Sequence, residues 1–149
     1  MEFRNATAED LTAIVRLLAD DELGATRERF EEPLPDVYRE AFTEIESQKG
    51  NQIIVAIDEG KVIGCLQLTM IPGLARAGMK RALIEGVRVD SAYRGKKIGE
   101  KLFEQAISMA KIENCGMVQL TTDKQRRDAH RFYEKLGFEA SHEGMKLLL

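Results

Sequence analysis

Between Ala82 and Glu113 the chain reads ALIEGVRVDSAYRGKKIGEKLFEQAISMAKIE. An apolar β-type run passes through RGKKIG (94–99), with two glycines and three cations in six residues, and enters a strong helical pattern. A strand that runs into a helix constrains the fold, because the helix must pack back on the sheet and carry the chain to another strand as a crossover. It also constrains the chemistry. The first N–H groups of the helix lack intrahelical partners, and together with the helix dipole they favour an anion. Gly95 and Gly99 let backbone approach a ligand with no Cβ in the way, and Arg94, Lys96 and Lys97 add positive charge. The stretch is built like a phosphate cradle, although a solvated basic turn would use the same residues. No G-K-[ST] follows a four-residue gap and no G-x-G-x-x-G is present, so neither standard nucleotide fingerprint applies.

The remaining elements follow from periodicity and punctuation. EFRNA (2–6) reads as a first strand, and Thr7 as an N-cap with Asp10 in the capping-box position. Leu11, Ile14, Val15 and Leu18 then keep helical spacing. Residues 20–35 read as a polar loop, and Val37, Ala41 and Ile45 mark a second amphipathic helix ending near Gly50. QIIVAI and VIGCLQLTM, separated by DEGK (58–61), form a hairpin signal. Residues 71–80 read as a loop, LIEGVRV as the fourth strand, and Ile98, Leu102, Ala106 and Met109 as one face of the third helix. MVQLT (117–121) is a fifth strand, and Ala129, Phe132, Tyr133 and Leu136 lay out a fourth helix with Gly137 as its C′ residue. FEAS and MKLLL would close the chain as a hairpin across HEG. The order β-α-α-β-β-β-α-β-α-β-β predicts an α/β fold, a mixed sheet with helices on both faces, in one domain over 1–149.

Composition narrows the function classes. With 149 residues, 44% apolar and 32% charged, the chain has the make-up of a soluble globular domain with a real core. The net charge of -3, from 22 basic and 25 acidic side chains, argues against a chain held on nucleic acid by bulk charge. No apolar run approaches the ~20 residues of a membrane span, and the first ten residues lack the marks of a signal or transit peptide. Cys65 and Cys115 have no metal-type or C-x-x-C spacing, and His130 and His142 are unpaired, so no metal is expected. Cys65 lies inside an apolar strand pattern and reads as a buried free thiol, which fits a reducing cytosol.

VRVDSAYRGKKIGEKLFEQA resembles the acyl-CoA signature of the GNAT N-acetyltransferase superfamily, whose loop runs Q/R-x-x-G-x-G/A. DAHRFYEKLGF (128–138) is similar to the second signature of that family, with its A-x-x-F-Y-x-x-x-G-F spacing. The element order matches the family over nearly the whole chain, and implies a mainly antiparallel sheet of about seven strands. The resemblance implies acetyl-CoA as co-substrate, with its pyrophosphate wrapped by Arg94, Gly95, Lys96, Lys97, Ile98, Gly99 and Glu100. It implies that the backbone of Val87, Arg88 and Val89 pairs with the pantetheine arm like an added strand, and that Arg126, Ala129, Phe132, Tyr133 and Lys135 contribute from the last helix. Two departures stand out. Lys97 occupies the place of the loop's first Gly, where a side chain discourages positive φ. Arg126 or Arg127 falls where many members carry an Asn.

Acetyl transfer to an amine requires loss of a proton from the amine, support of an oxyanion, and departure of a thiolate. A Lys-like amine of pKa ~10.4 is mostly charged at pH 7, so a base helps. Glu85, within an otherwise apolar strand, is the candidate base; simple alternation puts it on one face with Val87 and Val89, and its place is similar to that of the base in the histone-acetylating branch. A glutamate paired with an arginine or facing solvent is the plainer account. Tyr133 stands where the family's tyrosine protonates the departing thiolate, while its spacing also suits a core tyrosine. A backbone N–H of the fourth strand, that of Val87, is expected to hold the oxyanion. His130 and His142 read as a helix residue and a turn residue.

The acceptor is expected to be a small primary amine, received between residues 20–36 and 71–80. Asp20, Asp21, Glu22, Glu28, Glu31, Glu32 and Asp36 outnumber Arg27 and Arg29 in the first segment, which favours a cationic amine; Arg76, Lys80 and Arg81 oppose it. Dimers are common in the family. Two other classes account for part of the pattern: an acyl-CoA-binding sensor domain with little turnover, and a nucleic-acid module using RGKK and KQRR (124–127), which lacks stacking aromatics beside those cations.

Overall fold

The computed structural model describes all residues from Met1 to Leu149. Its strands are β1 (Glu2–Asn5), β2 (Asn51–Asp58), β3 (Lys61–Ile71), β4 (Arg81–Val89) and β5 (Met117–Leu120). They form one sheet in the order β1-β2-β3-β4-β5, with the first three pairings antiparallel. The helices are α1 (Leu11–Ala19), α2 (Glu22–Arg27), α3 (Asp36–Ser47), the single turn α4 (Ala75–Gly78), α5 (Ile98–Ile112) and α6 (Arg127–Lys135). No helix is long and apolar enough to cross a membrane. The chain divides into two compact units, Met1–Gln119 and Leu120–Leu149.

In the first unit, helices cover both faces of the sheet. Ile14 and Leu17 of α1 pack with Val55, Ile57, Val62 and Cys65. On the opposite face a Cβ built on Gly64, the neighbour of Cys65, would lie 3.1 Å from Leu102 and 3.4 Å from Ile98. A glycine at 64 is therefore what lets α5 come this close to β3. Leu102, Phe103 and Ala106 are fully buried beneath it, and a side chain the size of Phe103 contributes about 1.5–3 kcal/mol by leaving water. The entry to α1 follows the capping box: the Thr7 N–H donates to Asp10 Oδ2 at 2.8 Å, and Arg4 Nη1 donates to the same oxygen at 2.7 Å. The turn begins as a 3-10 helix, Ala8–Asp10.

Four expectations change. The segment 20–35 is not all loop, because Asp21 accepts from the Gly24 N–H and caps α2. The inward face of α3 carries Phe42, packed with Leu11, Val15 and Leu34, whereas Val37 is 54% exposed. Val37, Ala41 and Ile45 keep a four-residue spacing, but the helix turns Phe42, one residue past Ala41, to the inside. Residues 71–80 contain a turn in which Arg76 and Ala77 are left-handed. The sheet has five strands rather than about seven, because residues 138–149 form no hairpin. Two short strands need a further partner to bury their apolar side, and Met145, Leu147 and Leu148 remain 94%, 86% and 91% exposed.

In the second unit, α6 ends at Leu136 and Gly137 takes φ 98°, as its C′ position requires. The Phe138 N–H donates to the Tyr133 carbonyl at 3.1 Å. The Tyr133 ring meets Phe132 edge-on at 5.5 Å and Phe138 at 6.1 Å.

Candidate active site

Strand β4 carries the first half of the expected constellation. Gln67 pairs with Glu85, but Cys65 pairs with Arg88, so β4 spends one more residue than β3 over the same interval. That is a β-bulge, which interrupts the ladder and leaves backbone groups for another partner. Gly86 sits in it at φ 60°, a left-handed value that a β-branched residue would resist. The extra residue shifts the alternation by one. Glu85 is therefore in phase with Arg88 and not with Val87 and Val89, contrary to the count along an unbroken strand. The Glu85 side chain is exposed, and Val87, Arg88 and Val89 are half-buried.

Arg88 is held from two sides. Its Nη1 donates to the Val87 carbonyl at 2.8 Å, and its Nε lies 3.4 Å from Asp21 Oδ2. The carboxylate that caps α2 is thus also the partner of a β4 arginine, which ties the acidic 20–36 segment to the bulged strand. Further along this segment the Tyr38 hydroxyl donates to Glu28, and Arg29 pairs with Glu31 at 3.2 Å. At the other end of β4, Arg81 Nε is buried without a hydrogen-bond partner.

The strand-to-helix turn is anchored by Asp90, a residue that sequence reasoning passed over. Its carboxylate is buried, accepts from the Ala92 N–H at 3.0 Å, and meets Arg16 of α1 at 3.1 Å and Lys61 at 3.5 Å. The Ala92 hydrogen bond, helped by the two cations and opposed by burial, holds its pKa below the usual value near 3.8. A short polar residue just after a strand was the available signal, but partners at 16 and 61 are remote in sequence. Asp90→Asn should cost about 2 kcal/mol in urea unfolding at pH 7. That is less than the ~3–5 kcal/mol of a fully buried pair because Arg16 and Lys61 both reach solvent. A depressed folded pKa gives stability that is present above the unfolded value and lost as pH falls through the folded one. Wild-type stability should therefore decline below pH ~3.9, with a smaller decline in the variant.

Beyond Asp90, Arg94, Gly95, Lys96 and Lys97 are exposed, Gly99 and Glu100 half-buried, and Ile98 is 2% exposed. Ile98 points into the core, so it can offer a ligand only backbone. Lys96 Nζ lies 5.0 Å from the Tyr93 ring centroid. Lys97 adopts φ 61°, the conformation its side chain was expected to discourage. The strain is of order 1–2 kcal/mol, and the turn keeps the shape that Gly gives more cheaply. In the second unit, Ala129, Phe132 and Tyr133 are half-buried along α6, as is Arg126 at its start; Lys135 is exposed.

Residues 13–138 match the acetyltransferase (GNAT) family. The chain belongs to the GNAT family. It is 30% identical over 95% of its length to the aminoalkylphosphonate N-acetyltransferase of Salmonella typhimurium, covering 86% of that protein. A solved structure from Bacillus halodurans C-125, described as a transcriptional regulator, is 53% identical with TM-score 0.97 over 99% of both chains. An acetyltransferase of Trypanosoma brucei is 28% identical with TM-score 0.80 over 99% of each. GNAT members are acyltransferases that use acetyl-CoA, and this chain is an acyltransferase of that kind with a mixed, mainly antiparallel sheet.

The two thiols bear on how its activity is measured. Cys65 is free, 1% exposed, and burial pushes its pKa up to about 12. Cys115 is half-buried, and burial raises its pKa as well. Native protein should therefore react slowly at Cys115 and not at all at Cys65 with a thiol reagent, while unfolded protein titrates both. Fast labelling of two thiols would overturn the assignment.

Proposed function

We propose that this chain transfers the acetyl group of acetyl-CoA directly to a small primary amine, with Glu85 as general base and Tyr133 as general acid. The observation that carries the reading is the bulge at Gly86 next to an anion-favouring strand-to-helix turn. Arg94, Gly95, Lys96, Lys97, Ile98, Gly99 and Glu100 receive the pyrophosphate, Ile98 through its backbone. Val87, Arg88 and Val89 align the pantetheine arm by main-chain hydrogen bonds, which an interrupted ladder has to spare. The Val87 N–H holds the oxyanion. Glu85 takes the amine proton directly or through one water, and Tyr133 returns a proton to the thiolate. Arg126, Ala129, Phe132 and Lys135 add contacts to the cofactor from α6, and two free cysteines suit the reducing cytoplasm.

Two observations bear on the acceptor with opposite sign. The acids of 20–36 favour a second positive charge, yet Asp21, Glu28 and Glu31 already have partners. Arg81, with its buried unpartnered Nε, favours an amine that carries an acidic group, and the relative from Salmonella typhimurium is described as acting on aminoalkylphosphonates. A panel of diamines and aminophosphonates, run at low and high salt, decides between them, since attraction by an exposed acidic segment fades as the Debye length shortens from ~10 Å.

The deciding experiment is release of free CoA thiol from acetyl-CoA on addition of amines. Amine-dependent release supports the enzyme. Tight binding of acetyl-CoA with no release from any amine would favour the second reading, an acyl-CoA-binding regulatory domain. The description of the 53% identical protein as a transcriptional regulator is the one observation on that side.

A further inference from the structure

We propose that Gln67, with its amide set by Asn51, holds the acceptor amine beside Glu85. This contact rests on the reading above, in which the amine is received at Glu85. Gln67 stands directly opposite Glu85 in the β3–β4 ladder, the last pair before the bulge. Side chains opposed in this way share a face of the sheet, with Cβ atoms about 5 Å apart. The ordinary outcome would be a hydrogen bond between them, because an amide NH2 donates well to a carboxylate. That bond is not made. Gln67 Nε2 donates instead to Asn51 Oδ1 at 3.0 Å.

Asn51 is itself held by two further bonds. The same oxygen accepts from Thr69 Oγ1 at 3.2 Å, and Asn51 Nδ2 donates to Gln48 Oε1 at 2.7 Å. This chain of bonds commits the Gln67 NH2 to β2 and leaves its Oε1 as an acceptor on the face that carries the Glu85 carboxylate. Neither Gln67 Oε1 nor Glu85 receives a donor from the protein. Gln67 is half-buried and Glu85 exposed, so the pair is open to a ligand. Two acceptors side by side match a primary ammonium, which carries three N–H donors and no acceptor. One N–H passes to Glu85 as a proton, and its electron pair stays on nitrogen for attack on the thioester carbonyl. A second N–H stays on Gln67 Oε1 and aims that lone pair. Asn51 does not touch the amine; it is a positioning residue that acts through Gln67.

Calorimetry on protein saturated with CoA, titrated with ethylenediamine and with aminomethylphosphonate, reads amine binding without turnover. Gln67→Leu should weaken the tighter-binding amine at least ~10-fold and raise its KM alike, the worth of one hydrogen bond to a charged group. The KM for acetyl-CoA and the shape of the pH–rate profile should stay as in wild type. Asn51→Leu should have the same effect, and Asn51→Asp, which keeps the oxygen, should recover most of the loss. An amide that served stability alone would lower the unfolding midpoint and leave the amine KM where it was. Unchanged amine affinity in a folded Gln67→Leu protein overturns the proposal, and so does a wild type that binds neither amine. Failure of the base reading looks different: a Glu85→Gln pH–rate profile identical to wild type, with amine affinity still lost in Gln67→Leu, removes the base and keeps the contact.

Discussion

Tyr133→Phe should leave acetyl-CoA affinity unchanged and lower kcat by about 100-fold, the scale of one general acid. The substitution removes a hydroxyl and nothing else. The edge-on contacts of the ring with Phe132 and Phe138, at 5.5 and 6.1 Å, need only the aromatic ring, so α6 keeps its packing. A phenol of pKa ~10 gives its proton to a thiolate whose acid is near ~8.5 only with local help, such as a short hydrogen bond in a dry site. Calorimetry with acetyl-CoA and steady-state rates on the best amine separate the two quantities. Full activity in the variant would leave Tyr133 as packing alone.

Glu85→Gln should lower kcat/KM by about 100-fold near pH 7 and recover part of the loss at high pH, where more of the amine is already neutral. Glutamine keeps the shape of the side chain and its exposure on β4, so stability should be unaffected. The bulge changes which side chains stand beside Glu85. Because Gly86 shifts the phase of the strand, Glu85 shares its side of the sheet with Arg88 and not with the valines. The pH–rate profile is the measurement, and a profile superimposable on wild type removes Glu85 from the mechanism.

Much of the fold was legible because its signals are local. The DEGK hairpin closes with Asp58 opposite Lys61, Gly137 takes the positive φ that ends α6, and Leu102 and Ala106 face inward at helical spacing. What was not legible is non-local or a matter of phase. Residues 22–27 looked like loop, since Gly24 is a poor helix former; a cap from Asp21 and the Arg88 partner hold that helix in place. Lys97 was read as a misfit, yet it takes φ 61° in the turn that Asp90 anchors.

By itself the sequence determined the strand–turn–helix and the two signatures that mark the family. These depend on spacing along the chain, and spacing is written in the sequence. Only the tertiary structure decided that Asp90 joins Arg16 to Lys61, that Asp21 meets Arg88, and that one extra residue at Gly86 turns the strand's alternation over. Each of these is a pairing between segments remote in the chain. Register and pairing are fixed by burial and by satisfying charges together, and no local pattern carries that information.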